Sequence, residues 1–265
     1  MAFFFCVTNV GLEKALKFEM NQRFPDWRLA YSAPGFITFK GEGAWPVPYL
    51  ARLWGECLGK ESIPGASILD LGAGGVWSVK VQTPAPLWTD PLQLSHLELP
   101  AEAPSRAWLK IEETIRLFKL DLKSGETAIE LGSAPGGAVM ALLDRGLHVR
   151  AVDPAMMDPM LNRYAEYRHL KKPFQELTVS ETAGADWWLS DLNLAPGSVL
   201  SHMGRLLREV EKPRGLIITL KLAKPEVARE IKQHRERVQE WGFRKTHVRL
   251  LPSHHQEVVL VALRG

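Results

Sequence analysis

Before Pro104 the apolar positions come in short, mixed runs; after it they settle into alternating strand-like and helix-like stretches. Phe3–Thr8 is almost wholly apolar and reads as a strand, and Gly35–Lys40 alternates as another. Gly11–Arg23 carries Leu12, Ala15, Leu16 and Met20 at helical spacing. Tyr49–Leu58 predicts a second helix. Ser67–Leu71 and Val76–Gln82 predict a pair of strands around Gly72, Gly74 and Gly75. Thr83–Pro104 is rich in proline and reads as a linker.

Beyond it, Ser105–Lys119 predicts a helix with Ser105 as N-cap. Strand Thr127–Leu131, helix Gly136–Arg145 and strand Val149–Val152 follow, with a further strand near Arg168–Phe174. Then come strand Trp187–Leu189, helix Ser198–Val210, strand Leu216–Leu222 and the charged helix Pro225–Trp241. Thr246–Leu250 and Val258–Leu263 close the chain as two strands, expected to run antiparallel to each other. This alternation predicts an α/β fold: a Rossmann-like domain over 100–265, its sheet mostly parallel with an antiparallel last strand, after a small α+β domain over 1–99.

Composition narrows the classes. The 265 residues are 46% hydrophobic and 24% charged, an ordinary globular balance. A net charge of +3 favours a polyanionic partner without requiring one. Cys6 and Cys57 offer neither a disulfide framework nor a cysteine metal site, so a reducing cytoplasm is the expected home. The apolar opening is short and soon meets Glu13, Lys14 and Lys17, so neither a leader nor a membrane span is expected. His254-His255 has no further ligands spaced nearby, and no metal site is expected.

The chemistry concentrates in the second half. Strand Thr127–Leu131 runs into the turn Glu130-Leu131-Gly132-Ser133-Ala134-Pro135-Gly136-Gly137. Such a turn brings backbone close to a ligand where a Cβ would obstruct it. Asp153 ends the next strand, at the separation of about 20 residues where an acid grips a ribose diol in dinucleotide folds. The glycine spacing is not Gly-x-Gly-x-x-Gly. That opposes NAD and favours an adenosyl ligand without pyrophosphate, S-adenosylmethionine, with Glu130 placed to help hold its amino-acid end. Leu69–Gly75 looks similar, but an alternating strand follows it instead of a helix, so it reads as a hairpin turn.

Lys221 interrupts the apolar run Leu216–Leu220, which demands a partner or a task. Asp191 follows a strand end, where ligands gather in open α/β sheets. Lys110 and Glu257, taken alone, read as a solvated helix lysine and an edge-strand charge. A lysine–carboxylate cluster suits methylation of a ribose hydroxyl, whose poor acidity calls for a base. Spacing alone does not select these four. The cations between Lys224 and Arg249 fit either a phosphate-binding surface or a helix face paired with interleaved glutamates.

A resemblance selects them. Pro104–Glu112, Glu130–Gly137, Ser190-Asp191-Leu192, Thr219–Leu222 and Gln256–Val259 are together similar to the motifs of the FtsJ/RrmJ-type ribose 2′-O-methyltransferases, in order over about residues 98–265. The resemblance implies a Lys110, Asp191, Lys221, Glu257 tetrad with Lys221 as general base. It implies S-adenosylmethionine at Glu130, Gly132, Ser133, Pro135, Gly136, Gly137, Asp153 and Asp191, and RNA, ribosomal RNA first, as substrate. Val7–Met20 is similar to the ferredoxin-like start found ahead of a THUMP module, though the segment before residue 100 is short for both. Two departures stand out: Glu130 where aspartate is usual, and Ala138 where an aromatic often follows the glycines. The rival readings are a methyltransferase acting on protein or a small molecule, an NAD enzyme, and an RNA-binding protein without activity.

Overall fold

The computed structural model describes residues 1–82, 97–222 and 228–265. The expected linker and the charged helix therefore extend into 83–96 and 223–227, outside the described residues, as does Lys224. The residues cluster into two units. One comprises Met1–His96, Leu222–Glu230 and Arg249–Val258; the other comprises Leu97–Lys221, Ile231–Val248 and Val259–Gly265.

The first unit holds β1 (Ala2–Val7), α1 (Glu13–Arg23), β2 (Arg28–Ala33), β3 (Phe36–Gly41), β4 (Leu53–Gly59), β5 (Ser67–Asp70) and β6 (Val76–Val81). Its sheet runs β2-β3-β1-β4-β6-β5, antiparallel throughout. Tyr31 of β2 and Trp77 of β6 stand at non-adjacent places in that order, yet their rings meet at 5.0 Å, so the sheet is strongly curled. Phe5, Val7, Phe36, Leu53, Trp77 and Val79 fill the concavity.

One expectation fails here. Tyr49–Leu58 does not form a helix; its second half is β4, paired to β1 on one side and β6 on the other. Ladder bonds on both edges outweigh a weak helical periodicity. No helix forms between β3 and β4, so the second helix of a ferredoxin-like arrangement is missing from this stretch. Strand β2 gave no signal because it is a largely exposed edge strand without an apolar alternation. The glycines of Leu69–Gly75 do make the turn of the β5–β6 hairpin.

The second unit begins with α2 (Ala107–Phe118), then β7 (Thr127–Leu131), α3 (Gly137–Leu143), β8 (His148–Val152), β9 (Tyr167–Leu170), α4 (Val179–Thr182), β10 (Trp187–Ser190), α5 (Pro196–Leu207), β11 (Gly215–Lys221), α6 (Glu230–Glu240) and β12 (Lys245–Arg249); β13 (Glu257–Leu263) closes the chain. The N-cap of α2 is Arg106, one position later than expected, and Ser105 Oγ accepts a hydrogen bond from Ala107 N at 3.3 Å. The sheet order is β12-β13-β11-β10-β7-β8-β9, parallel from β11 through β9. Strands β7, β10 and β11 are apolar and buried along nearly their whole length, as strands covered on both faces must be. From β7 the chain winds outward to β9, then returns to β10 on the other side. The carboxyl ends of β7 and β10 therefore flank the switch point where such sheets open a crevice.

Candidate active site

The turn after β7 is built around its neighbours. Gly136 has φ +121°, and a Cβ there would lie 2.4 Å from Leu161 Cδ1, so only glycine fits. A Cβ on Gly137 would lie 2.4 Å from the carbonyl oxygen of Ser105, because the approach to α2 packs against the turn. Ser133 Oγ donates to Glu130 O at 2.7 Å and accepts from Val152 N at 2.9 Å, tying the turn to β7 and β8. Ala134 and Pro135 are joined by a cis peptide, and Gly132 has φ +83°.

Asp153 follows β8. Its carboxylate accepts from Ala134 N at 3.1 Å and from Ala155 N at 2.8 Å. It therefore fastens the glycine turn and keeps lone pairs free for a further donor. Helix α3 is only seven residues long, shorter than the sequence predicts.

Asp191 lies just past β10. It accepts Lys110 Nζ on Oδ2 at 2.8 Å and Lys221 Nζ on Oδ1 at 2.7 Å. Lys110 comes from α2 and Lys221 is the last residue of β11, so three elements remote in sequence converge on one carboxylate. The three side chains are 17–20% exposed, wet enough for a substrate to reach them. Glu257 is buried and is the first residue of β13, the strand beside β11 in the sheet; it falls within Arg249–Val258, a segment of the first unit.

A crevice beside this cluster is lined by Lys110, Ile111, Glu130, Ala138, Ser190, Asp191 and Thr219. Glu130 is 2% exposed. Burial first, then the Asp191 and Asp153 carboxylates, push its carboxyl well above the usual glutamate range, while Lys110 pulls it down. Among the described residues, Glu130 Oε2 and Ser190 Oγ, both buried, have no hydrogen-bond partner. Buried polar atoms left so are costly unless a ligand or water completes them. An unsatisfied buried acid and hydroxyl beside the glycine turn fit an adenosyl ligand that carries positive charge. Ser190 gave no separate signal in the sequence; its place beside Asp191 at a strand end was the available clue. Trp187 lies at the opposite end of β10, its indole donating to Glu126 at 2.8 Å.

The FtsJ-like methyltransferase family matches residues 103–246, more than half of the chain. The ribosomal RNA large subunit methyltransferase M of Laribacter hongkongensis is 32% identical over 169 residues, 61% of this chain and 47% of that protein. The protein of the same name from Halorhodospira halophila is 31% identical over 177 residues, 66% of this chain and 51% of its own. The chain thus spans about half the length of the curated relatives it matches. Among solved structures, a Burkholderia thailandensis 1,6-didemethyltoxoflavin-N1-methyltransferase with bound S-adenosylhomocysteine is 15% identical, with a TM-score of 0.42 over 62% of this chain and 78% of that one.

Proposed function

The chain belongs to the FtsJ-like methyltransferase family, and from that premise we propose that it methylates the ribose 2′-hydroxyl of an RNA, ribosomal RNA of the large subunit foremost. The cofactor is S-adenosyl-L-methionine, which when bound supplies an electrophilic methyl group to an attacking oxygen. Glu130, Gly132, Ser133, Pro135, Gly136, Gly137, Asp153 and Asp191 are the residues that would hold it.

One observation carries this reading: the bridge from Lys110 through Asp191 to Lys221 at the lip of the crevice. A ribose hydroxyl is too weak an acid to attack at neutral pH without a base. Lys221 is assigned that role. Asp191 fixes the Lys221 nitrogen by a 2.7 Å hydrogen bond and fixes Lys110 by another at 2.8 Å. Lys110 orients Asp191 and faces the ribose as a fixed cation. Glu257 is the fourth member by resemblance to the family motif. Orientation of the hydroxyl against the donor supplies the other large part of the rate.

Lys221→Ala is expected to lower methyl transfer to RNA by about 10²–10⁴-fold, the usual contribution of a positioned base, while S-adenosylhomocysteine binding by calorimetry stays near wild type. Full activity in that variant would remove Lys221 from the mechanism. Mapping the ribose methylations lost when the gene is deleted identifies the substrate; an unchanged ribose-methylation map would sink the RNA reading.

A further inference from the structure

The second unit carries another concavity, of about 570 Å³, between the carboxyl-terminal ends of α5 and α6. Arg208, Lys212 and Arg237 line it against one carboxylate, Glu240, and Trp241 presents its indole among them. Among the described residues, none of the three cations has a salt-bridge partner. Helix ends favour cations through the backbone dipole, which accounts for their placement but not for an indole set in their midst. The indole packs closely against α5: a Cβ on Gly204 would lie 2.7 Å from Trp241 Cζ2.

A second cleft adjoins the first. It is lined by Lys119, Arg214 and Arg264 with Asp121, around Trp187. Arg264 Nη1 donates to Lys212 O at 3.1 Å and links the two. Arg214 is committed to Glu126 and Asp121, but the two clefts together keep an excess of cations. Both lie where β10 and β11 begin, the end of the sheet opposite Ser190 and Lys221. The seven residues of β11 separate them from the catalytic lysine by about 20 Å at the usual strand rise.

Unpaired cations grouped around an aromatic face are the chemistry that receives single-stranded nucleic acid: phosphates on the charges, a base on the ring. We propose that the Arg208–Lys212–Arg237 cleft binds backbone phosphates of the substrate RNA at a distance from the methylated nucleotide, with Trp241 stacking a base. This rests on the reading of the protein as an RNA methyltransferase.

The probe is labelled single-stranded poly(U), titrated against the full chain over a range of salt. Each lost phosphate contact lowers the slope of log K against log salt by about 0.7 on a single strand, so Arg208→Ala/Lys212→Ala/Arg237→Ala is expected to lower it by about 2. Trp241→Leu is expected to weaken binding about tenfold with the slope unchanged, since stacking releases no counterions. S-adenosylhomocysteine affinity and the melting midpoint serve as folding controls. If the triple variant melts early, the three single variants replace it, each expected to lose about 0.7 of slope. A wild-type slope in a folded variant overturns the proposal, leaves the cleft to an anionic protein partner, and leaves the catalytic reading standing. Absence of RNA binding by the wild type at every salt concentration would sink both together.

Discussion

The Glu130 carboxyl is shifted toward its protonated form by its surroundings, burial first. Burial, Asp191 and Asp153 together raise its carboxyl well above the usual 4.5. Between that value and the raised one, the folded chain binds a proton that the unfolded chain has released. Stability therefore falls as pH rises through this window, because the native state is the better proton acceptor. Glu130→Gln removes the titration while keeping the shape. The melting midpoint of the ligand-free wild type is expected to decline across the window, and that of Glu130→Gln to stay flatter; parallel curves would contradict the assignment. The same residue marks how far single positions were legible. Lys221 stood out because a lysine in an apolar strand needs a partner, and the partner is Asp191 at 2.7 Å. The raised carboxyl of Glu130 was not legible, since it depends first on burial and then on two acids that approach only after folding.

At the scale of elements, α2 deserves the closest test because it delivers Lys110. Its buried Glu112 accepts Arg145 Nε at 3.0 Å and Nη2 at 2.7 Å, a two-pronged clasp to the end of α3. Glu112→Ala is expected to cost about 2 kcal/mol in urea unfolding, in line with bonds between charged groups. It is also expected to lower kcat, since Lys110 rides on the same helix. Unfolding at the wild-type midpoint would show the clasp to be idle. The glycine turn makes a second case. Gly136→Ala forces φ +121° on a residue with a side chain and drives a Cβ into Leu161. About 1–3 kcal/mol of destabilisation and a clear drop in S-adenosylhomocysteine affinity are expected; unchanged binding would mean the turn does not cradle the cofactor. The strongly periodic elements of the second unit could be read directly, since strands buried on both faces carry unbroken apolar runs. Strand β2 could not, because an exposed edge strand has no apolar face to advertise, and β4 could not, because its pairing to β1 and β6 is a long-range fact.

At the scale of the molecule, the chain leaves the first unit, builds most of the second, and returns. Asn9 Nδ2 donates to Leu251 O at 3.0 Å and to His254 O at 2.6 Å, so a residue near the start is bonded to carbonyls near the end. Leu250 and Leu251 are buried within the same unit. A chain beginning at residue 97 would lose the sheet that Arg249–Val258 packs with. It is expected to melt lower and less cooperatively than the full chain by calorimetry, with exposed apolar surface detected by dye binding. A sharp transition at the wild-type midpoint would show the second unit to be self-sufficient. The change in pattern near residue 100 was visible in the sequence. The return was not, because it is written in packing and leaves no mark in local periodicity.

That return sets an order in time. During synthesis, Met1–His96 emerge with all six strands of their sheet yet without Arg249–Val258, which reach them only after the whole second unit has been made. The amino-terminal unit must wait with part of its apolar surface uncovered, the condition under which nascent chains recruit chaperones. Ribosome-bound chains stalled before Arg249 are expected to be protease-sensitive throughout that unit, and chains stalled well past Val258 to be resistant.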